Sequence, residues 1–265
     1  MAEVLVYFGA GGAGVSYLDH SGVRPDFFVD NDKAIIGKEV DGVPVRAPDS
    51  LKGLGGVKVV ITSGYVSEIR GQLREFGVPD ESVSLIPKSM MGAHIFRSYM
   101  SRVAAAQRLA EFVGTLRARA SMVAVGGTAL GFVRDLDFIP WDFDVDFFAP
   151  NSQRSDIERQ LSCRGNEILN SESTALQGEL SFGASRTIPI GIDFFDHTQD
   201  RYVDNYGAHT WIWPVGMFVK PREVKVHGQS FSVPGDAAGY LERVFGPDWR
   251  SPRPDFTYDD YSSEN

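Results

Sequence analysis

The residues best suited to chemistry lie in 126-GGTALGFVRDLDFIPWDFDVDFF-148, where Asp142, Asp144 and Asp146 alternate with Phe143, Val145 and Phe147. Successive side chains of an extended chain point to opposite faces, so the pattern predicts a strand over 142–148 with three carboxylates on one face and apolar groups on the other. Carboxylates roughly 7 Å apart along one strand face repel one another and resist burial unless water, basic groups or a cation compensates them. A divalent metal is the simplest resolution. Mg²⁺ takes carboxylate oxygens in octahedral geometry and shares its remaining positions with water and substrate phosphates. The Asp144–Asp146 spacing suits one or two such ions, and Asp142 is an additional candidate ligand. A further acid is then expected on a neighbouring strand. The stretch 189-PIGIDFFDH-197 supplies Asp193 as a lone charge between Ile192 and Phe194, with Asp196 weaker at the strand end. The five histidines are scattered without ligand spacing, which leaves no zinc-type cluster and points to Mg²⁺ or Mn²⁺.

Elements must position these acids. The stretch 122-MVAVGG-127 reads as a short strand entering a turn ahead of the carboxylate strand. Residues 95–119 place Val103, Leu109, Phe112, Val113 and Leu116 in a helical pattern, predicting an amphipathic helix that packs on the second half and carries its arginines on a solvated face. Further upstream, the apolar run Val4–Phe8 leads directly into Gly9, Gly11, Gly12 and Gly14. This is G-x-G-x-x-G between a strand and a helix, a context in which backbone N–H groups can face a phosphate. A second strand, 26-DFFVD-30, ends in Asp30, placed to take a ribose hydroxyl. A strand at 57–63, a helix over 65–76 and a strand at 83–86 complete a compact βαβ unit. The glycines also serve a tight turn with no ligand, so a nucleotide-type ligand and a purely structural turn are both readings of this unit.

The fold class expected is α/β and α+β: a Rossmann-like parallel-sheet domain over 1–92, a helical connector over 93–120, a mixed-sheet domain over 121–253 and an acidic tail over 254–265. The tail, proline-rich and polar, reads as disordered. With 265 residues, the chain has room for two modest cores. Its net charge of −9 argues against a duplex-binding protein, because such affinity rests on lysine and arginine neutralising phosphates. Phosphate-bearing small molecules remain compatible with a local metal site. No apolar run reaches the length of a membrane span, no signal peptide is evident, and one cysteine forbids an internal disulfide, so a cytoplasmic location is expected. The sequence does not fix the oligomeric state, and a homo-oligomer is compatible with it. Trp211 and Trp213 read as core more readily than as a stacking platform, and Lys220 and Arg222 as a solvated strand edge.

Two resemblances sharpen this. Asp30-Asn31-Asp32 with Gly37 and 42-GVPV-45 resemble the nucleotide-sugar-binding N-terminal domain of PglD-type acyltransferases over about residues 3–90. This implies a nucleotide-linked or sugar-like ligand. Gly127-Thr128-Ala129-Leu130-Gly131-Phe132-Val133-Arg134, then Phe138-Ile139-Pro140-Trp141-Asp142-Phe143-Asp144-Val145-Asp146, resemble the LicD family of phosphotransferases, related to the fukutin type, within the nucleotidyltransferase superfamily. Ile192-Asp193-Phe194-Phe195 and 233-VPGDAAGYLERVFGPDW-249 extend the likeness across about residues 121–253. Phe143 stands where that family has a middle aspartate, and Asp135-Leu136-Asp137 replace basic or small residues.

The LicD resemblance implies a nucleotidyltransferase-fold catalytic domain. Asp144 and Asp146 would hold metal, and Asp193 would bind a metal or act as base. Gly126, Gly127 and Thr128 would meet donor phosphates, and Arg134 would stabilise the transferring group unless it forms a structural ion pair. The expected activity is transfer of a phospho-substituent from a nucleotide diphosphate donor, CDP-linked by preference, to a sugar or glycan hydroxyl in glycan, cell-surface or secondary-metabolite biosynthesis. The alternatives are a nucleotidyltransferase using a nucleoside triphosphate, a nucleotide-sugar-binding module, and a NAD-dependent oxidoreductase acting through the first domain.

Overall fold

The computed structural model describes residues 4–92, 95–116, 122–163, 166–172, 174–182, 186–196, 198–206 and 209–262. The chain forms two compact units: Met1–Ala93, Tyr206–Ala208 and Arg253–Asp260 make the first, and His94–Asn205, His209–Pro252 and Tyr261–Asn265 the second. Among the described residues no helix is long and apolar enough to cross a membrane.

The first unit runs β1 (Val4–Phe8), α1 (Gly12–Ser21), β2 (Phe27–Val29), β3 (Glu39–Val40), β4 (Val43–Arg46), β5 (Val57–Ile61), α2 (Val66–Glu75) and β6 (Val83–Leu85). Its sheet has the order β3-β4-β2-β1-β5-β6 and is parallel except for the β3–β4 hairpin. The hairpin was not anticipated, although Asp41-Gly42 is a strong two-residue turn signal. Both residues take positive φ, 49° and 72°, as a type I′ turn requires. Strand β1 lies between β2 and β5, so the chain order reverses there, the place where open α/β sheets form a crevice. Burial explains the central apolar runs: Val6, Phe8, Phe27, Val29, Val59 and Ile61 join one core cluster.

Two fingerprint glycines are required by packing. Gly9 leaves β1 with φ 116°, and a Cβ there would meet the Thr62 carbonyl oxygen at 2.8 Å. The Thr62 hydroxyl, buried, lies 3.0 and 2.7 Å from the Phe8 and Gly9 carbonyl oxygens. Gly14 packs so close to the Gly9 carbonyl that a Cβ would overlap it.

The tail read as disordered is ordered over part of its length. Asp259 takes a bidentate ion pair from Arg70 of α2 at 2.9 and 2.6 Å, the Lys88 amide donates to the Phe256 carbonyl at 2.8 Å, and the Tyr258 ring lies under the Lys88 ammonium. Charge pairing, a backbone hydrogen bond and one aromatic anchor, Tyr258, supply what composition alone did not reveal.

The second unit runs α3 (Tyr99–Leu116), β7 (Val123–Ala124), α4 (Gly126–Arg134), β8 (Val145–Pro150), α5 (Arg154–Leu161), β9 (Glu167–Ser171), β10 (Ala175–Phe182), β11 (Arg186–Phe195), β12 (Arg201–Tyr206), β13 (His209–Pro214), α6 (Gly216–Val219), β14 (Arg222–Val226), β15 (Gln229–Val233) and α7 (Ala237–Phe245). A mixed seven-stranded sheet has the order β14-β15-β7-β8-β11-β10-β9, and β12–β13 form a separate ribbon. Strand β8 pairs with β11 in parallel, with Asp146 opposite Gly191 and Phe148 opposite Asp193. One face of this pair carries Val145, Phe147, Ile190, Ile192 and Phe194 into a core built with Leu109, Phe112 and Leu116 of α3. By alternation the other face carries Asp146, Phe148, Gly191, Asp193 and Phe195.

Three expectations need correction here. The strand expected over 142–148 begins only at Val145. The chain turns before it: the Asp142 amide donates to the Ile139 carbonyl at 3.0 Å, and the Asp142 carboxylate takes the Phe143 amide at 3.1 Å. The glycine pair is no loop after a strand but the first turn of α4, with Gly126 at φ 53°. The arginines of α3 are not simply solvated. Arg102 binds Asp137 at 2.9 Å and the Phe96 carbonyl, and Arg108 binds the Ser181 carbonyl and Asn166, both at 2.7 Å. The end of the helix expected over 95–119 and residues 93–94 of the connector lie outside the described residues.

Gly14→Ala tests the first unit. Overpacking against the Gly9 carbonyl should destabilise it by about 1–3 kcal/mol, seen as a lower urea midpoint, whereas Gly12→Ala, with open space at its Cβ position, should leave the midpoint nearly unchanged.

Candidate active site

Asp146 is the best-fixed acid of the second unit. Its amide donates to the Thr128 hydroxyl at 2.9 Å, and its carbonyl accepts from the Val125 amide at 3.0 Å. Its carboxylate occupies space left by Gly191, where a Cβ would stand 2.5 Å from Oδ1; at Gly126 a Cβ would make an ordinary 3.5 Å contact with Oδ2, and glycine there is required by its φ of 53°. Gly127 leaves similar room for the Asp142 carboxylate, which a Cβ would overlap. Thus Gly126 and Gly127 bring the first turn of α4 against the acids, and Gly191, which the sequence reading overlooked, does the same from β11. Its signal was a glycine inside a β-branched strand beside Asp193, a mark of close approach. Asp144 sits half-buried in the loop one residue before β8.

Asp193 extends the acid face from β11, and the ribbon brings a second acid the sequence reading missed. Tyr202 of β12 packs its ring 5.1 Å from Phe148 and 6.4 Å from Phe195, residues of the face that holds Asp146 and Asp193. Two residues on, alternation turns Asp204 to the same side. Its Oδ2 accepts from the indole N–H of Trp213 at 3.3 Å. Trp213, fully buried, packs on Tyr240 with ring centroids 4.8 Å apart. The Tyr240 hydroxyl in turn accepts from the Gly126 amide at 2.9 Å. Trp211 and Trp213 are both core, as expected. The single signal for Asp204 was one acid in the short run 201-RYVDNY-206, too irregular to single out.

Burial pushes the Asp193 carboxyl up to about 7, and the nearby Asp204 charge adds to the shift. Burial likewise raises Asp204 to about 6, with the Trp213 N–H working in the opposite direction. Tyr202 is raised by burial and by both aspartates, and Tyr240 by burial and by Asp204, its shift opposed by the Gly126 amide and reinforced by Asp146. These groups therefore share one electrostatic neighbourhood, and the Arg243 guanidinium lies 4.7 Å over the Trp213 ring whose N–H binds Asp204.

Other predicted residues lie differently. Thr128, buried, spends its hydroxyl on the Asp146 amide. Arg134 closes α4, about 12 Å of helix rise from Gly126, and its guanidinium binds Asp135 through Nε and a terminal nitrogen, with the side chain 7% exposed. The ion-pair alternative is the one the geometry favours. Asp137, the other acid of that segment, binds Arg102 at 2.9 Å and His227 at 2.6 Å. These acids thus serve ion pairs that hold the α4–β8 connection. Asp196 caps its own turn through the Thr198 amide and hydroxyl. Lys220 and Arg222 are exposed, the latter on edge strand β14.

In the first unit the Asp30 carboxylate accepts from the Ala10 amide at 2.7 Å and the Asp32 amide at 2.9 Å, so it braces the glycine loop. Gly9 and Gly14 are buried by packing, while Gly11 and Gly12 face open space at the start of α1.

Among the described residues no group of three or more His, Cys, Asp or Glu side chains forms a cluster that could hold a metal ion. A complete protein cage is therefore not built in. The donor set is nonetheless all carboxylate, glycines clear space around two of its members, and burial holds Asp193 and Asp204 above the ordinary carboxylate range. This fits Mg²⁺ or Mn²⁺, which one or two carboxylates hold together with substrate phosphates.

Residues 119–236 match the family model described as LicD/FKTN/FKRP, nucleotidyltransferase domain. The match supports a transferase of the nucleotidyl or phosphoryl kind. A search of curated proteins finds no match. Among solved structures, the lincosamide antibiotic adenylyltransferase LnuA with lincomycin bound aligns at 10% identity and TM-score 0.37, over 50% of this chain and 81% of that one. ANT(2″)-Ia in complex with adenylyl-2″-tobramycin aligns at 12% identity and TM-score 0.37, over 49% and 68%. A myo-inositol dehydrogenase from Corynebacterium glutamicum aligns at 12% identity and TM-score 0.23, over 91% and 84%.

The raised acid predicts a pH dependence. The folded Asp193 keeps its proton above the usual carboxylate pKa of about 3.9, so its contribution to stability is full below that value and is lost as pH rises through about 7. In metal-free buffer, Asp193→Asn should therefore melt above wild type at pH 8 and no higher at pH 4. Parallel melting curves across that range would remove the proposed burial effect.

Proposed function

We propose that this chain is a divalent-cation-dependent transferase that moves a phospho-substituent from a nucleotide diphosphate donor, CDP-linked by preference, to a hydroxyl of a sugar or glycan acceptor. The observation that carries the reading is the acid face of β8 and β11, with Gly191 clearing space for the Asp146 carboxylate, inside the segment that matches the family model.

In phosphoryl transfer the protein chiefly positions the reactants and neutralises charge. Asp144 and Asp146 would hold Mg²⁺ or Mn²⁺ together with substrate phosphates, with Asp142 and Asp193 as further candidate ligands once a substrate is bound. The bound ion supplies electrostatic stabilisation of the attacking and leaving oxygens. Gly126 and Gly127 keep the first turn of α4 against the acids, where side chains would exclude a ligand. Thr128 and Val125 hold the Asp146 backbone from either side. Arg134, committed to Asp135, has a structural part in this account. In the first unit, Gly11 and Gly12 leave the start of α1 accessible to a nucleotide-linked or sugar-like ligand, with Asp30 stiffening the loop rather than awaiting a ribose.

A second reading, transfer of a nucleotidyl group from a nucleoside triphosphate, is favoured by the family model's own description as a nucleotidyltransferase domain. Product analysis separates the two: the first releases a nucleoside monophosphate from a diphosphate donor, the second releases pyrophosphate.

Two variants test the site. Asp144→Ala should abolish turnover and the Mg²⁺-dependent thermal shift caused by CDP-, UDP- or GDP-linked compounds, while leaving the melting temperature without ligand near wild type. Retained turnover would sink the mechanism. Gly191→Ala should push the Asp146 carboxylate aside and lower kcat by about 100-fold, the scale expected when a reacting group is misplaced by about 1 Å. Unchanged kcat would show that the carboxylate tolerates displacement.

A further inference from the structure

Asp204 is the one acid of this neighbourhood that neither the motif nor the strand pair accounts for. It arrives from a separate ribbon, β12–β13, and is half-buried beside an aromatic layer whose other members, Phe148, Phe218, Trp213 and Tyr240, are closed to solvent. Its position is fixed by a continuous chain of contacts. The Gly126 amide binds the Tyr240 hydroxyl, Tyr240 packs on Trp213, and the Trp213 N–H binds Asp204 Oδ2. The same contacts that anchor the first turn of α4 thus set the place of this carboxylate. Among the described residues its one hydrogen-bond partner is that neutral indole N–H, on Oδ2, and it has no ion pair. Oδ1 is left to accept a hydrogen bond from a ligand. A buried polar group gains most from a partner that donates to it without demanding a second desolvated charge.

We propose that Asp204 is an acceptor-binding residue of the transferase site, its carboxylate receiving a hydroxyl of a polyol or sugar acceptor opposite the metal-holding acids of β8 and β11. This rests on the transferase reading above and assigns the acceptor side of that same site. Two features separate Asp204 from the acids of β8 and β11: it lies outside that strand pair, on the ribbon, and its Oδ2 is held by the Trp213 N–H. Asp193 and Asp204 are close enough for their charges to interact, and Tyr240 feels both Asp204 and Asp146. Tyr202 lines the same side of β12, and Tyr240 approaches from α7.

The test uses crystals of the full chain soaked with Mn²⁺ and glycerol, the polyol probe, for wild type and Asp204→Asn. Asparagine keeps the shape and the oxygen that Trp213 binds, so the fold should persist, and an unchanged melting temperature checks this. In wild type a glycerol hydroxyl should lie within hydrogen-bond distance of Asp204 Oδ1. In Asp204→Asn the ordered glycerol should be lost while Mn²⁺ remains at Asp144 and Asp146. Mn²⁺ ligated directly by Asp204, or glycerol absent from wild type or ordered away from Asp204, would overturn the proposal. Glycerol on Asp204 with no Mn²⁺ at Asp144 and Asp146 would uphold the acceptor assignment and contradict the metal reading instead.

Discussion

A carboxylate on the inner face of a sheet needs room and a fixed backbone before it can serve a ligand, and Asp146 receives both. Thr128 and Val125, at either side of the α4 start, bind its amide and carbonyl. Gly191 clears space for its carboxylate, and Gly126 takes the positive φ that starts α4 beside it. This arrangement explains why α4 begins without a loop directly after β7, why its first two residues are glycines, and why a β-branched strand is interrupted at position 191. A side chain at Gly191 would meet Asp146 Oδ1.

The second constraint is electrostatic. Aromatic rings fill the remainder of this face: Phe148, Phe195, Tyr202, Phe218, Trp213 and Tyr240 lie in successive contact. Rings bury area cheaply but offer little compensation for charge, which is why Asp193 and Asp204 sit well above the ordinary carboxylate range. Arg134 and Arg102 pair with Asp135 and Asp137, and the Arg243 guanidinium packs over the Trp213 ring. Buried as they are, Asp193 and Asp204 gain from a cation or a hydrogen-bond-donating substrate.

Much of this was legible from sequence. The α/β and α+β class, the strands at Val4–Phe8 and Val57–Ile61 and the α2 helix follow from apolar runs and glycine punctuation that mean nearly the same thing in any context. The acid face at Asp146 and Asp193 follows from alternation, and the register of β8 with β11 places both on one side. Alternation misled at Asp142 and Asp144, because the turn after Ile139 and Pro140 delays the strand, and a strand's first residue is set by hydrogen bonds rather than by pattern. Asp204 was invisible for a different reason. Its neighbourhood is made by ring contacts between β12, β8, β11 and β13, a tertiary fact that no local spacing encodes. The ordered stretch up to Asp260 was hidden in the same way, since Arg70 and Asp259 are far apart in the chain.

The central claim is that the Asp146 face holds a divalent cation. Titration of the full chain with Mn²⁺, following the signal of the free ion by electron paramagnetic resonance with and without CDP-linked donor, tests it most directly. The account predicts stoichiometric uptake that tightens with the donor and is lost in Asp146→Asn. Equal uptake by wild type and Asp146→Asn, or none by either with the donor present, would contradict it.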